Sequence, residues 1–367
     1  LTIAVGGLTP SAVRPRATGL GVAIAVASCG PGDWPPECRT RLPSPREDGF
    51  ARAVLDGGAP FAAWQRGARS LLEAWYRSPG AAGSAGGGNT ASGGAAPVVS
   101  GRGFRLVPSP SSCPSSDAEL TRWEAAEGPE AGMVELARGG ERGLVILVHG
   151  HGSTAPSAFT DQSDLFGLGC TLVAAGWWVA VPELGGFGRR GQPPHGARIA
   201  SRLIPGRFMR EEVAMLSDVV DFVRGRVPNG EASFPTFVVG HSLGGHLALQ
   251  LAALRPDAIH GAFLSGLFLP LECINSPVHH ACQHQLGLFE RLESEDLAML
   301  VAPRPLTIAW GALDVLYTES AVRLADRTRD GFEAVDAAAA FDLAVTSDQA
   351  HRLNGSEVFR FLDRATR

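Results

Sequence analysis

Phe237-Val238-Val239-Gly240-His241-Ser242-Leu243-Gly244-Gly245-His246-Leu247-Ala248 is the stretch on which the reading of the whole chain turns. Phe237-Val238-Val239 is apolar and β-branched, as a buried strand requires. Gly245 to Ala252 reads as a helix. Between them stands Gly240-His241-Ser242-Leu243-Gly244, a G-x-S-x-G turn. In strand–turn–helix context such a turn lifts a serine hydroxyl above the strand ends, and the glycines leave room for the sharp bend. No other G-x-S-x-G occurs in the chain. Ser242 is therefore the candidate nucleophile.

Outward from this turn, the second half of the chain alternates regularly. Leu144–Val148 is a continuous apolar run, suited to a strand covered on both faces. Met133–Ala137, Trp177–Val181, Gly261–Leu264, Leu306–Trp310 and Phe341–Val345 read as further strands. Helical spacing is expected around 165–175, between Arg207 and Arg226, over Thr318–Arg329 and over Glu357–Arg364. Strands alternating with helices predict an α/β fold, a mostly parallel sheet with helices on both faces. Active sites in such sheets lie at the carboxyl ends of the strands.

That rule selects what should meet Ser242. The loop His149-Gly150-His151-Gly152-Ser153 follows the Leu144–Val148 strand, and its glycines let backbone N–H groups face an oxyanion. His151 and Leu243, the residue after the nucleophile, are the candidate oxyanion donors. A base and an acid should follow in the order serine, acid, histidine. Asp314 lies just beyond the Leu306–Trp310 strand, and His351 just beyond the last strand. Asp342 and Asp348 are rival acids, placed at a strand start and in a loop. An imidazole is needed because a serine hydroxyl is too weakly acidic to attack unaided, and a carboxylate must hold that imidazole.

These pieces together resemble the α/β-hydrolase superfamily, and within it the dienelactone-hydrolase-like and acetyl-xylan-esterase-like serine esterases. The resemblance rests on Val148-His149-Gly150, Gly176-Trp177-Trp178-Val179-Ala180-Val181-Pro182, Gly185-Gly186-Phe187-Gly188, the Ser242 turn, and Leu300-Val301-Ala302-Pro303-Arg304-Pro305-Leu306. His351-Arg352-Leu353-Asn354 is similar to the histidine turn of those esterases. It covers about residues 130–367, and departs from the pattern at Glu183, where an aspartate is usual. It implies ester hydrolysis through an acyl-serine, with short acyl groups on carbohydrates as the expected substrates and no cofactor or metal. A serine peptidase or thioesterase on the same fold is the alternative, as is a surface-anchored binding protein without activity. His279-His280-Ala281-Cys282-Gln283-His284 matches no standard zinc spacing.

The first third differs. Gly (46 in the chain) and Pro (26) concentrate there, which argues against a packed core in that part. Arg14 and Arg16 precede Leu20–Ala27, an apolar run too short to span a bilayer as a helix. It ends in Val26-Ala27-Ser28-Cys29, similar to a bacterial lipobox, in which Cys29 would carry a lipid anchor at the membrane surface. Ordinary secretion is the alternative reading. The expected organisation is a signal segment over 1–29, an extension over 30–120, and the hydrolase domain over 121–367. Within the extension, Phe61, Trp64, Ala68, Leu71 and Trp75 predict an amphipathic helix docked on the main domain, followed by a low-complexity linker over 79–96. A net charge of −5 shows no basic excess and gives no footprint for nucleic acid. Of six cysteines, setting Cys29 aside leaves an odd number, so at least one stays free if bridges are intramolecular. Cys273 and Cys282 are the expected pair, being near in sequence.

Overall fold

The computed structural model describes residues 38–77 and 103–367, except 39, 41–43, 47, 57, 110–111, 114–118, 129–130, 161–164, 192–193, 196–205, 228–233, 277–280 and 286. The expected signal segment with Cys29, the expected linker over 79–96, and His279 and His280 lie outside the described residues. No described helix is long and apolar enough to cross a membrane.

Apolar runs build the centre of the sheet. Strand β4 (Leu144–Val148) lies between β5 (Trp178–Pro182) and β6 (Thr236–His241), parallel to both. Beyond β6 come β7 (Gly261–Ser265), β8 (Leu306–Gly311) and β9 (Phe341–Thr346), each parallel to the last. On the other side, β3 (Met133–Ala137), β2 (Leu120–Ala125) and β1 (Phe104–Val107) add antiparallel. The order is β1-β2-β3-β5-β4-β6-β7-β8-β9. Sequence order reverses at β4, so the carboxyl ends of β4 and β6 open the crevice where such sheets bind ligands.

Period-two alternation divides the core between the two faces. Leu144, Ile146 and Val148 join one apolar cluster, Val145 and Leu147 the other. Helices α3 (Arg207–Arg224), α4 (Leu243–Leu254), α6 (Ser294–Met299) and α7 (Glu319–Ala334) cover the first face, with the single turn α5 (Leu271–Ile274) at its rim. Helices α2 (Leu168–Ala174) and α8 (Gly355–Ala365) cover the second. Nearly every residue of α4 is buried, because it packs directly behind the sheet.

The sheet extends upstream of the boundary read at 121, since β1 begins at Phe104. Hydrophobic pattern hides this edge. Arg122 and Glu135, fully buried on β2 and β3, pair with each other, and Arg189 reaches Glu124 at 3.0 Å. Charged residues inside strands are tolerated there because they are paired.

Helix α1 (Phe61–Arg77) forms where the periodicity predicts and docks against the helices that cover the first face of the sheet. Its most buried line is Trp64, Ala68, Leu72 and Tyr76 rather than one through Leu71 and Trp75. Gln65 donates to the carbonyls of Met299 and Ala302, and Arg69 to those of Ala253 and Leu300. The N-terminal segment thus caps carbonyls at the ends of α4 and α6, that of Leu300 jointly with Arg304.

The cysteine expectation is corrected. Cys273 bonds Cys38, and Cys113 bonds Cys170, while Cys282 is free and buried. Docking of the N-terminal segment brings Cys38 to Cys273, with Cα atoms 5.5 Å apart. Pairing follows spatial approach, not nearness in sequence.

Candidate active site

The glycines flanking Ser242 are required by contact. A Cβ on Gly240 would come within 2.1 Å of the Gly244 carbonyl oxygen, and one on Gly244 within 2.1 Å of that of Val148. The bend holds Ser242 at φ 54°, ψ −122°, a conformation costly for a non-glycine residue and characteristic of functional turns. The Ser242 N–H donates to the Ser265 carbonyl at 2.7 Å.

Asp314 and His351 meet. His351 Nδ1 lies 2.8 Å from Asp314 Oδ2, and Asp314 Oδ1 accepts the Leu316 N–H at 2.8 Å. The acid is almost fully buried while the histidine is partly open. Nδ1–H donation leaves Nε2 as the lone-pair nitrogen. The two loops that carry them are stitched together: the Leu313 N–H donates to Gln349 O, and that of Ala312 to Thr346 O. Asn354 closes the histidine turn by capping α8. Of the rival acids, Asp342 pairs with Arg364 at 2.9 Å. Asp348 sits in the turn after β9 at φ 58°.

Sequence reading missed Ser265 and Gly266, at the end of β7. Ser265 O holds the nucleophile's N–H, and its hydroxyl contacts His241 Nδ1 at 3.1 Å and Arg352 O at 3.5 Å. Gly266, at φ +71°, lies against the acid–base pair: a Cβ there would stand 2.8 Å from His351 Cε1 and 3.2 Å from Asp314 Oδ2. One strand end therefore touches all three candidate residues, Ser242, His351 and Asp314. Only the absence of a side chain at 266 could have signalled it.

His241, inside the elbow, stacks with His351 at 4.7 Å between ring centres. Burial, and secondarily the His351 charge, pushes its pKa down to about 3. His241 therefore stays neutral at neutral pH.

The β4 loop reaches the same place. Gly150 abuts Ser242, since a Cβ there would lie 2.9 Å from Ser242 Cβ. His151 follows it directly, and its imidazole turns to Cys282, Nε2 to Sγ 3.3 Å, so its backbone is the part available to an oxyanion. Leu243 begins α4, where the first N–H groups of the helix have no intrahelical partner. His149 is buried behind this loop, its Nε2 accepting the Leu184 N–H at 3.1 Å. Glu183 accepts the Ala155 N–H at 3.1 Å, so the residue that departs from the usual aspartate still ties two loops together. Arg304 of the Ala-Pro-Arg-Pro run donates to Ile259, Ala252 and Leu300 carbonyls. It anchors the start of β8, whose far end presents Asp314.

A family model described as serine aminopeptidase, S33, matches residues 139–296, which includes Ser242 and stops short of Asp314 and His351. Comparison with curated proteins gives no significant sequence match. Among solved structures, methylesterase BT1017 aligns at TM-score 0.58 and 14% identity, over 87% of this chain and 68% of its own. A glucuronoyl esterase from Solibacter usitatus aligns at TM-score 0.57 and 14% identity, over 89% of this chain and 98% of its own. Acetyl xylan esterase 1 from Thermoanaerobacterium sp. JW/SL YS485 is also similar, at 0.46 and 18%, over 71% and 87%. Identities this low speak to fold. Sheet order, the strained serine turn and the family match over 139–296 agree on an α/β-hydrolase fold.

Proposed function

We propose that this protein hydrolyses carboxylic esters through an acyl-enzyme on Ser242. The observation that carries the reading is the His351–Asp314 bond of 2.8 Å, set against Gly266 beside the carbonyl that holds Ser242. In the first step Ser242 Oγ attacks the ester carbonyl and His351 Nε2 takes its proton. Asp314 Oδ2 stabilises the imidazolium through the Nδ1–H bond. Negative charge gathers on the carbonyl oxygen, towards the N–H of Leu243 and the backbone at His151. Collapse expels the alcohol, which receives the proton from His351. Water then attacks the acyl-serine by the same steps in reverse.

The substrate reading is short acyl esters, acetyl groups on carbohydrates among them. The side chains beside the β4 loop support it: His151, Phe187 and His195 form a cluster of rings, a lining more suited to sugars than to long alkyl chains. The fold neighbours named methylesterase and glucuronoyl esterase support an ester as substrate, and the second name adds esters with a glucuronoyl acyl part. The family model's description favours a second reading, amide cleavage. Export, with Cys29 lipidated at a bacterial envelope, belongs to the same proposal. The bonds Cys38–Cys273 and Cys113–Cys170 support it, since disulfides persist in oxidising compartments.

The test is kcat/KM on acyl chains of two to twelve carbons, an acetylated sugar, a methyl glucuronate and an aminopeptidase substrate. Acetyl esters should lead, and Ser242→Ala should lose roughly 10⁴- to 10⁶-fold in kcat. A maximum at eight carbons or beyond, or amide turnover rivalling that of esters, refutes the substrate reading. Intact mass of the mature protein decides the anchor: a form without acyl chains on Cys29 rules it out.

A further inference from the structure

Three side chains that take no proton or acyl group in the steps above converge beside the elbow from separate segments. His151 follows the glycine that abuts Ser242, His195 lies in the segment after β5, and Cys282 sits in the short turn Ala281–Gln283. One ligand atom from each lies within 4.8 Å of the others. Cys282 is the free thiol among the described residues and is buried. His195 Nδ1 lies 3.2 Å from Gly185 O, an N–H···O=C bond that makes Nε2 the lone-pair nitrogen. Metal-bound histidines commonly have such a carbonyl behind them, because it fixes both tautomer and ring orientation. Phe187 and Phe208 stand against the His195 ring at 4.5 and 5.0 Å between centres, and form an apolar shell on that side.

We propose that His151, His195 and Cys282 bind a divalent transition-metal ion of the zinc type. Two imidazoles and a thiolate suit zinc and exclude magnesium and calcium, which require oxygen ligands. With metal–nitrogen and metal–sulfur bonds of ordinary length, ligand atoms around a tetrahedral ion stand about 3.3–3.6 Å apart. The His151 Nε2 to Cys282 Sγ distance is already 3.3 Å, and the His195 ligand atom lies within 4.8 Å of both. On binding, the thiol releases its proton to solvent as the sulfur–metal bond forms, and water takes the fourth position. The ion clamps the β4 loop, the segment after β5 and the Ala281–Gln283 turn to one another. No one sequence window contains the ligands, and the spacing within 279–284 is irrelevant to them.

The experiment uses the full chain, stripped with a chelator and titrated with Zn²⁺ and Co²⁺. Expected are one equivalent bound, a thiolate-to-cobalt charge-transfer band, a rise in Tm with Zn²⁺, and protection of Cys282 from alkylation. Cys282→Ala and His195→Gln should each weaken binding by at least about 100-fold, and Cys282→Ala should abolish the band. Binding without the band, affinity unchanged in either variant, or no stoichiometric binding overturns the proposal. Alkylation protection in the unsubstituted protein is read independently, so poor folding of a variant leaves the test intact. None of these readouts depends on the substrate assignment.

Discussion

Gly266→Ala is the substitution that tests the contacts at the end of β7. Its cost has two parts. Alanine at φ +71° pays the left-handed penalty, about 1–2 kcal/mol of stability. Its methyl also arrives 2.8 Å from His351 Cε1 and 3.0 Å from Nδ1, where carbon contacts settle near 3.5–4.0 Å. The imidazole must therefore move by roughly 0.7–1.2 Å, and displacements of about 1 Å cost about 10²-fold in rate. Gly58→Ala isolates the first part, because Gly58 has φ +69° with nothing within 4 Å of its Cβ position. The assay is kcat/KM on a short acyl ester, beside the rate of phosphonate labelling of Ser242 and the unfolding free energy of each variant. Gly266→Ala should be slower by about 10² in both rates, while Gly58→Ala keeps activity and loses similar stability. A folded Gly266→Ala within threefold of the parent refutes the reasoning, as does an equal activity loss in Gly58→Ala.

Asp314→Asn should lose several orders of magnitude in kcat and His351→Ala should approach Ser242→Ala; a larger effect from Asp342→Asn or Asp348→Asn reassigns the acid. His246 is buried beside Gln283 with its pKa pushed down to about 4 by desolvation, so the unfolded chain takes the proton first as pH falls below about 6.5. Stability present above that pH is lost on the way to pH 4, by about 2 kcal/mol at pH 5 from this histidine, and urea unfolding of His246→Gln should show a shallower loss between pH 7 and 5. Cys38→Ser removes the bond to Cys273, which closes a loop of sequence separation 235; equilibrium unfolding should show a loss of about 2–5 kcal/mol, and unchanged stability would mean that helix α1 docks without it.

The order of strands and helices after residue 130 was legible because local pattern carries it. Leu144–Val148 has no polar residue to spend on solvent, and Gly240-His241-Ser242-Leu243-Gly244 has glycines wherever a Cβ would strike backbone. Asp314 and His351 could be named from their positions past two strand ends, since a parallel sheet delivers those ends to one edge. Other features were decided only by approach in three dimensions. Strands β1 and β2 carry charges that look solvent-facing until Arg122 meets Glu135. Cys273 looks committed to nearby Cys282 until the N-terminal segment folds back and Cys38 arrives. Gly266 is one glycine among 46 until His351 and Asp314 stand against it, and Cys282 is an odd thiol until two histidines from distant loops surround it. A sequence encodes periodicity and backbone permission locally, whereas pair identity between distant segments depends on how a sheet stacks its loops.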